Sequence, residues 1–257
     1  TDLNESQRQF TLSLEIFQDL GDRWGIAQSL AGLGGLDYVN GRLDAALAHA
    51  EAAYEIRRAM GDRPAQGRSL NNLGLIHKWL GHLELAERFH RQMVTLKQDI
   101  HDYSTMAESQ ANLVQTLSHV GKYDEAYRLA MEALEGSRAR GNKTNEAIIT
   151  IAAGNALLNL GQYEPVYRLL DGTLAVVRDK GQRIYEGVLQ QLYGALALAG
   201  KSYVEAQTAY RSSLEIFEQI GRMTVVWPLS GLGHAAYRQG DRPEARKQII
   251  AAMASAL

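Results

Sequence analysis

The chain has 257 residues, of which 46% are hydrophobic and 22% charged, a composition typical of folded, water-soluble protein. A net charge of −2 and a pI near 6.4 give no overall attraction for nucleic acid. No run of about 20 apolar residues predicts a membrane span. Cysteine is absent, which excludes disulfides, thiolate catalysis and cysteine-ligated zinc. This absence fits a reducing compartment, so the sequence favours a cytoplasmic location.

Glycine recurs at intervals of 40 residues along the chain. One series consists of Gly41, Gly81, Gly121 and Gly161, and a second of Gly21, Gly61, Gly141, Gly181 and Gly221. A fixed period of this length is typical of solenoid proteins, in which each unit buries its apolar face against its neighbours. The two series lie about 20 residues apart, and glycine readily adopts the left-handed conformation that ends helices. Each unit is therefore predicted to be a hairpin of two helices, A and B.

The predicted elements follow one another without a linker. Residues 1–20 match the second half of a later unit, because Ser13-Leu-Glu-Ile-Phe17 recurs as Ser213-Leu-Glu-Ile-Phe217. The prediction is a lone B helix over 1–20, followed by hairpins at about 23–62, 63–102, 103–142, 143–182, 183–222 and 223–257. One irregularity is Gly200, which comes one residue early. Residues 1–257 are thus predicted to be a single solenoid, and because the first residue is threonine, a fragment of a larger protein.

A further set of glycines lies inside the predicted A helices. Its members are Gly34, Gly74, Gly154, Gly194 and Gly233. A glycine in the middle of a helix costs about 1 kcal/mol relative to alanine. Its repeated use predicts that neighbouring helices approach closely at these positions.

The order of small residue, turn glycine and alanine at Gly74, Gly81 and Ala86 resembles the tetratricopeptide repeat. That family usually has units of about 34 residues, so this chain resembles its extended variant with longer helices. Ser69-Leu-Asn-Asn-Leu-Gly74 and the turn at Gly61-Asp62 are similar to arrays of kinesin light chains and to C-terminal sensor arrays of bacterial STAND ATPases and transcription activators. The resemblance implies an all-α, right-handed superhelical solenoid of about six and a half hairpins, with the A helices lining its concave surface.

Helical periodicity selects the candidate binding residues. When the small residue is counted as position 8, positions 2, 5, 6, 9 and 13 of each A helix face away from the neighbouring helices. The candidates on this face are Arg68, Asn71, Asn72, Trp79, Glu108, Asn112, Gln115, His119, Asn155, Asn159, Gln191, Trp227 and His234. The fourth and fifth A helices add apolar residues, among them Ile148, Ile151 and Leu192, which predict a ligand with hydrophobic side chains or a neighbouring helix from the parent protein.

Asparagine is a poor helix former, so its recurrence at Asn71, Asn72 and Asn112 requires a reason. An amide both donates to and accepts from a peptide backbone, which favours a protein or peptide ligand. The alternative is that these amides bond across neighbouring A helices or face water. The family's clamp for C-terminal carboxylates, a lysine and an asparagine at positions 5 and 9, is not matched by Asn71 with Leu75.

No motif predicts catalysis, a metal or a cofactor. The seven histidines lack metal-ligand spacing, and the glycine-rich segment 32–35 lacks the features of a phosphate loop. The sequence therefore favours a non-enzymatic module that binds a protein, a peptide or an effector domain of its parent chain, with no direct contact to nucleic acid or membrane. Two alternatives remain: a small-molecule sensor in which Trp79 and Trp227 stack on the ligand, and a self-associating scaffold.

Overall fold

A computed structural model describes residues 3–220 and 225–255 of the chain. Fourteen α-helices are found in these two ranges, and no β-strand. The A helices are α2 (Arg23–Val39), α4 (Arg63–Trp79), α6 (Met106–His119), α8 (Lys143–Asn159), α11 (Arg183–Ala199) and α13 (Val226–Arg238). The B helices are α1 (Leu3–Leu20), α3 (Leu43–Ala59), α5 (Leu83–Asp99), α7 (Tyr123–Ala139), α9 (Tyr163–Leu170) with α10 (Thr173–Asp179), α12 (Tyr203–Gln219) and α14 (Arg242–Ala254). The predicted all-α fold of alternating A and B helices is confirmed.

The helices form two compact units, Thr1–Lys122 and Tyr123–Leu257. In the first unit each helix from α1 to α6 packs on the next, and in the second unit α8 contacts α7, α9, α10 and α11. The predicted repeat at 103–142 spans the boundary between the two units. A single continuous solenoid over residues 1–257 therefore stays a prediction.

The turn glycines of both series adopt the left-handed conformation wherever the structure describes them, with φ between 63° and 85°. Gly221 lies outside the described residues. In each such turn the chain ends a helix by bonding back to it, as Gly81 N–H does to the Lys78 carbonyl at 3.2 Å and His82 N–H to the His77 carbonyl at 2.9 Å. This confirms the predicted role of the two series in ending helices.

Two turns adopt the same conformation without glycine. His101 has a φ of 55° and Lys201 a φ of 63°, whereas Gly200 has a helical φ of −75°. Lys201 N–H bonds to the Leu198 carbonyl at 3.1 Å, as the glycine does in the other turns. The early Gly200 therefore does not shift the turn, and Lys201 occupies the left-handed position.

The glycines within the A helices lie against neighbouring helices, as predicted. A Cβ atom added at Gly74 would lie 2.3 Å from Nε2 of His90 in α5, and one at Gly194 would lie 2.9 Å from the Tyr210 ring in α12. Both distances are shorter than ordinary Cβ contacts, so a side chain at either position would force the neighbouring ring to shift. Glycine at these positions allows A and B helices to pack closely.

The B helix predicted within 143–182 is interrupted, which the sequence analysis did not foresee. Asp171 is extended with a ψ of 129°, and Gly172 is left-handed with a φ of 73°, so α9 and α10 are separate. The Tyr193 hydroxyl donates to the Leu170 carbonyl at 3.2 Å, and so satisfies an acceptor at the end of α9.

Candidate functional site

The predicted site residues lie on accessible faces of the A helices. Nine are exposed: Arg68, Trp79, Glu108, Gln115, His119, Asn155, Asn159, Trp227 and His234. Four are half-buried: Asn71, Asn72, Asn112 and Gln191. In the first unit the structure joins the side-chain amides of Asn71 and Asn112 by a hydrogen bond. In the described part of the second unit, no hydrogen bond joins any two of the predicted site residues Asn155, Asn159, Gln191, Trp227 and His234.

Position 6 differs from the prediction in the first and last A helices. A Cβ added at Gly32 would lie 2.4 Å from the Phe10 ring of α1, and one at Gly231 would lie 2.4 Å from the Tyr210 ring of α12. Position 6 of these helices therefore faces the preceding B helix. In these two helices, packing against the preceding B helix makes position 6 unavailable to a ligand.

The apolar stretch of α8 and α11 is covered. Ile148 and Ile151 are 8% and 7% exposed, and Leu192 is 2% exposed. Ile151 and Leu192 belong to one core cluster with residues of α9 and α10. The sequence predicts that these residues are exposed to a hydrophobic ligand or to a helix of the parent protein. This expectation is wrong for them, because they are buried within the chain itself.

A pocket opens between the first two A helices and α3, with a volume of ≈ 420 Å³ including the part open to solvent. We call it the glycine pocket. Its lining consists of Ala31, Gly34, Gly35, Tyr38, Ala50, Ala53, Ser69, Asn72, Leu75 and Ile76. Most of these side chains are small, and their size leaves the space.

Polar groups of the glycine pocket come from α2 and α4. The Asn72 amide makes no hydrogen bond to any described residue, although its side chain is half-buried. Ser69 Oγ accepts a hydrogen bond from the buried Arg57 at 2.8 Å. Burial raises the pKa of Tyr38, and a hydrogen bond with the exposed Trp79 partly offsets this rise. The pocket thus offers Asn72 as a free donor and acceptor beside apolar walls.

Two hydrogen bonds join α4 to α6 on the same face. Asn112 Nδ2 donates to Asn71 Oδ1 at 2.7 Å, and Lys78 Nζ donates to Gln115 Oε1 at 2.6 Å. The alternative interpretation of the asparagines, bonding across neighbouring A helices, therefore holds for Asn71 and Asn112. It does not apply to Asn72.

Lys78 was missed by the sequence analysis, although a signal was present. It follows Asn71 by seven residues, and seven steps of about 100° bring a side chain to within about 20° of its starting direction on the helix. Tyr38 occupies the same position of α2. Position 12 therefore belongs to the face, together with positions 5, 9 and 13.

Lys78 and two nearby histidines have lowered pKa values. Burial lowers the pKa of Lys78 to about 8. Burial, and to a smaller extent the Lys78 charge, lowers the pKa of His90 to about 4 and also lowers the pKa of His119. Because desolvation penalises the charged form, these shifts indicate that burial outweighs any compensating negative charge at the three groups.

Residues 3–220 and 225–255 also bear on metal binding and on membrane insertion. These residues contain no cluster of three or more metal-binding side chains. None of their helices is long and apolar enough to cross a membrane.

Comparison with known families identifies the repeat. Models of the tetratricopeptide repeat match residues 25–99, 106–139 and 226–248, together just over half of the chain. The chain belongs to the tetratricopeptide repeat proteins, and the resemblance inferred from its sequence is confirmed. No curated protein matches it.

Several solved structures share the fold. Aspartyl phosphate phosphatase F from Bacillus subtilis is 12% identical with a TM-score of 0.76, covering 96% of this chain and 63% of its own. A Rap protein complexed with Competence and Sporulation Factor is 15% identical with a TM-score of 0.73, covering 99% and 75%. A kinesin light chain repeat protein from Podosopora anserina is 17% identical with a TM-score of 0.57, covering 76% and 96%. Such low identities indicate a common fold alone.

Proposed function

We propose that the chain is a non-catalytic module that binds a protein or peptide segment along the A-helix face of its first unit. The observation that carries the proposal is the glycine pocket, in which the free Asn72 amide lies beside apolar walls. An apolar cavity with few, well-placed polar groups is the usual form of a binding site. The pocket would receive an apolar side chain while Asn72 bonds to the adjacent peptide group.

The structural neighbours support the peptide as ligand class. One is a Rap protein in complex with Competence and Sporulation Factor, and another is a Rap conjugation gene regulator in complex with the Phr* peptide. By analogy, we infer that the present chain is the sensor or scaffold part of a larger cytoplasmic regulator. A STAND-type parent protein would fit this role.

The test fills the pocket without disturbing the helices. Gly35 is exposed, its φ is not left-handed, and an added Cβ would meet no atom within 4 Å, so a side chain can begin there without a clash at Cβ. Gly35→Trp would place its ring in the pocket. Peptides selected from a random display library on the full chain would serve as probes, with affinity measured by calorimetry. We expect Gly35→Trp and Asn72→Ala to weaken binding at least about tenfold, as loss of a buried anchor or of a buried hydrogen bond does.

The matched control is Gln92→Ala, at an exposed position of the B helix α5. It should bind the selected peptides as tightly as the wild type. Equal affinity of Gly35→Trp, with its helical content intact, would exclude the pocket as the binding site.

A small-molecule sensor is the second candidate, because the glycine pocket combines small, mostly apolar walls with the polar Asn72 amide. Trp79 lies close to Tyr38 of the pocket lining, so its fluorescence should respond to a bound ligand. A metabolite that raises the melting temperature of the wild type but not of Gly35→Trp would favour this function over peptide binding. Concentration-dependent light scattering without any ligand would instead indicate a self-associating scaffold.

A further inference from the structure

Lys78 is a half-buried cation without an acidic partner. Its ammonium bonds to the neutral oxygen of Gln115 at 2.6 Å, and no carboxylate of a described residue lies within ion-pair distance. Taking an ammonium group out of water is unfavourable unless a negative charge compensates it. The half-buried position of Lys78 is therefore costly in the free protein.

Two buried carboxylates of the described residues are compensated by cations. Glu87 bonds to both Arg91 and Lys122 at 2.8 Å. Glu186 pairs likewise with two arginines of the second unit. Arg57 is an exception, because it bonds to the neutral oxygens of Ser69 and Gln28; burial lowers its pKa, and the Arg68 charge lowers this pKa more than Asp62 raises it. Lys78 and Arg57 both lack an ion pair, but Arg57 is 4% exposed, whereas Lys78 bonds to the exposed Gln115.

The groups around Lys78 come from three helices, and none of them is acidic. Gln115 and His119 of α6 are one helical turn apart, and both are exposed. His90 of α5 and His119 are near enough to Lys78 for its charge to lower their pKa. On the other side, Asn71 accepts from Asn112, which leaves the two N–H groups of the Asn71 amide unused by that bond. The region presents donors to a negatively charged ligand.

We propose that Lys78, Gln115 and His119 form a subsite for a carboxylate of the bound segment. This proposal rests on the proposed function and adds that the bound segment is acidic. A single ammonium among neutral amides suits one negative charge, whereas a phosphate dianion would be better matched by several cations. Neighbouring helices lie about 10 Å apart, and an extended peptide rises by about 3.3 Å per residue. In the bound peptide, the carboxylate at Lys78 and the apolar side chain in the glycine pocket would therefore be about three residues apart.

The first test uses acetate, the simplest carboxylate, and needs no peptide. In the full chain labelled with ¹³C-lysine, the Lys78 Cε signal is followed as acetate replaces chloride at constant ionic strength. We expect a saturable shift with a dissociation constant on the order of 10 mM, as one or two charge-assisted hydrogen bonds allow. Lys122 is the internal control, because its ammonium is already paired with Glu87 at 2.8 Å.

The signal of Lys78 should respond while that of Lys122 does not, and Lys78→Met should abolish the acetate response of the His119 ring. Equal responses of the two lysines, or a response to phosphate but not to acetate, would overturn the carboxylate subsite. Neither result would affect the glycine pocket, which Gly35→Trp tests separately.

The second test uses the selected peptides. Lys78→Met should weaken binding of a carboxylate-bearing peptide at least about tenfold, which corresponds to one charge-assisted hydrogen bond. Each carboxylate of the peptide is then neutralised in turn, by Glu→Gln, by Asp→Asn or by amidation of the C-terminus. The peptide that lacks the bound carboxylate should bind the wild type and Lys78→Met with equal affinity, and this identifies the bound group. If every neutralised peptide binds the wild type as tightly as its parent peptide, the proposed carboxylate subsite is excluded, whatever the effect of Gly35→Trp.

Discussion

His90 couples the packing of the first unit to pH. Its side chain is fully buried against α4 at Gly74, and its Nδ1 lies 2.8 Å from Thr116 Oγ1 of α6. Burial, with a smaller effect of Lys78, lowers the pKa of the folded protein's His90 to about 4, against an ordinary value of 6.5. The imidazole is therefore neutral in the folded protein under conditions in which it is protonated in the unfolded chain.

We expect the free energy of unfolding to fall as the pH decreases from 6.5 to 4. In this interval the unfolded chain binds a proton at His90 and the folded protein does not, so acid favours unfolding. The loss should reach about 3 kcal/mol at the lower limit, since each pKa unit corresponds to about 1.4 kcal/mol. Urea unfolding followed by circular dichroism between pH 7 and pH 4 measures it.

His90→Gln is the variant that isolates this contribution. It should be less stable at pH 7, because a packed ring is lost, but its stability should depend less on pH than that of the wild type. His234→Gln, at an exposed position of α13, provides the matched control and should keep the wild-type slope. A His90→Gln slope equal to that of the wild type would mean that other groups cause the acid sensitivity.

The turn between α11 and α12 offers a test of how the helices end. Lys201 has a φ of 63°, and a left-handed residue with a Cβ is strained by about 1–2 kcal/mol. Lys201→Gly should raise the free energy of unfolding by about 0.5–1 kcal/mol, because relief of strain exceeds the added entropy of the unfolded chain. Thermal and urea unfolding give the change.

Gly200→Ala is the matched control for that turn. Gly200 has a helical φ of −75°, and an added Cβ would lie 3.5 Å from the nearest atom, so alanine should be neutral or slightly stabilising. If Gly200 formed the turn instead, the signs would be reversed: alanine would destabilise and Lys201→Gly would have no benefit.

Helix ends were predictable because the left-handed turn imposes a strong local requirement that glycine meets. The same local requirement explains why the break between α9 and α10 was not predicted. Asp171-Gly172 is a turn signal of its own, but it falls outside both 40-residue glycine series, from which the helix ends were predicted. The late start of α6 at Met106 has a local cause as well, since Asp102 accepts hydrogen bonds from Ser104 at 2.6 Å and Thr105 at 2.8 Å.

The candidate site was predictable to the extent that it depends on one helix. Rotation of about 100° per residue places Asn71, Asn72 and Trp79 on one face, and all three are accessible. The glycine pocket could not be predicted this way, because it depends on small residues of α2, α3 and α4 meeting in space. The burial of Ile148 and Ile151 has the same origin, since neighbouring helices decide what remains exposed.

In repeat proteins each unit contacts mainly its neighbours, so stability is a sum of local terms. The contacts of this chain follow that pattern: α4 packs on α3 and α5, and α13 on α12 and α14. A packing defect in the middle of the first unit should therefore loosen nearby helices and leave distant ones protected.

Gly74→Ala creates such a defect, because its Cβ would lie 2.3 Å from Nε2 of the fully buried His90. Overpacking of this kind costs about 1–3 kcal/mol. Amide hydrogen exchange followed by mass spectrometry should show faster exchange in α4, α5 and their direct neighbours, with α13 and α14 unchanged. Gly194→Ala, whose Cβ would lie 2.9 Å from the Tyr210 ring, should instead accelerate exchange in α11 and α12. Uniform acceleration by either variant would show that the chain unfolds as one cooperative unit, because a sum of local terms cannot transmit a single defect to every helix.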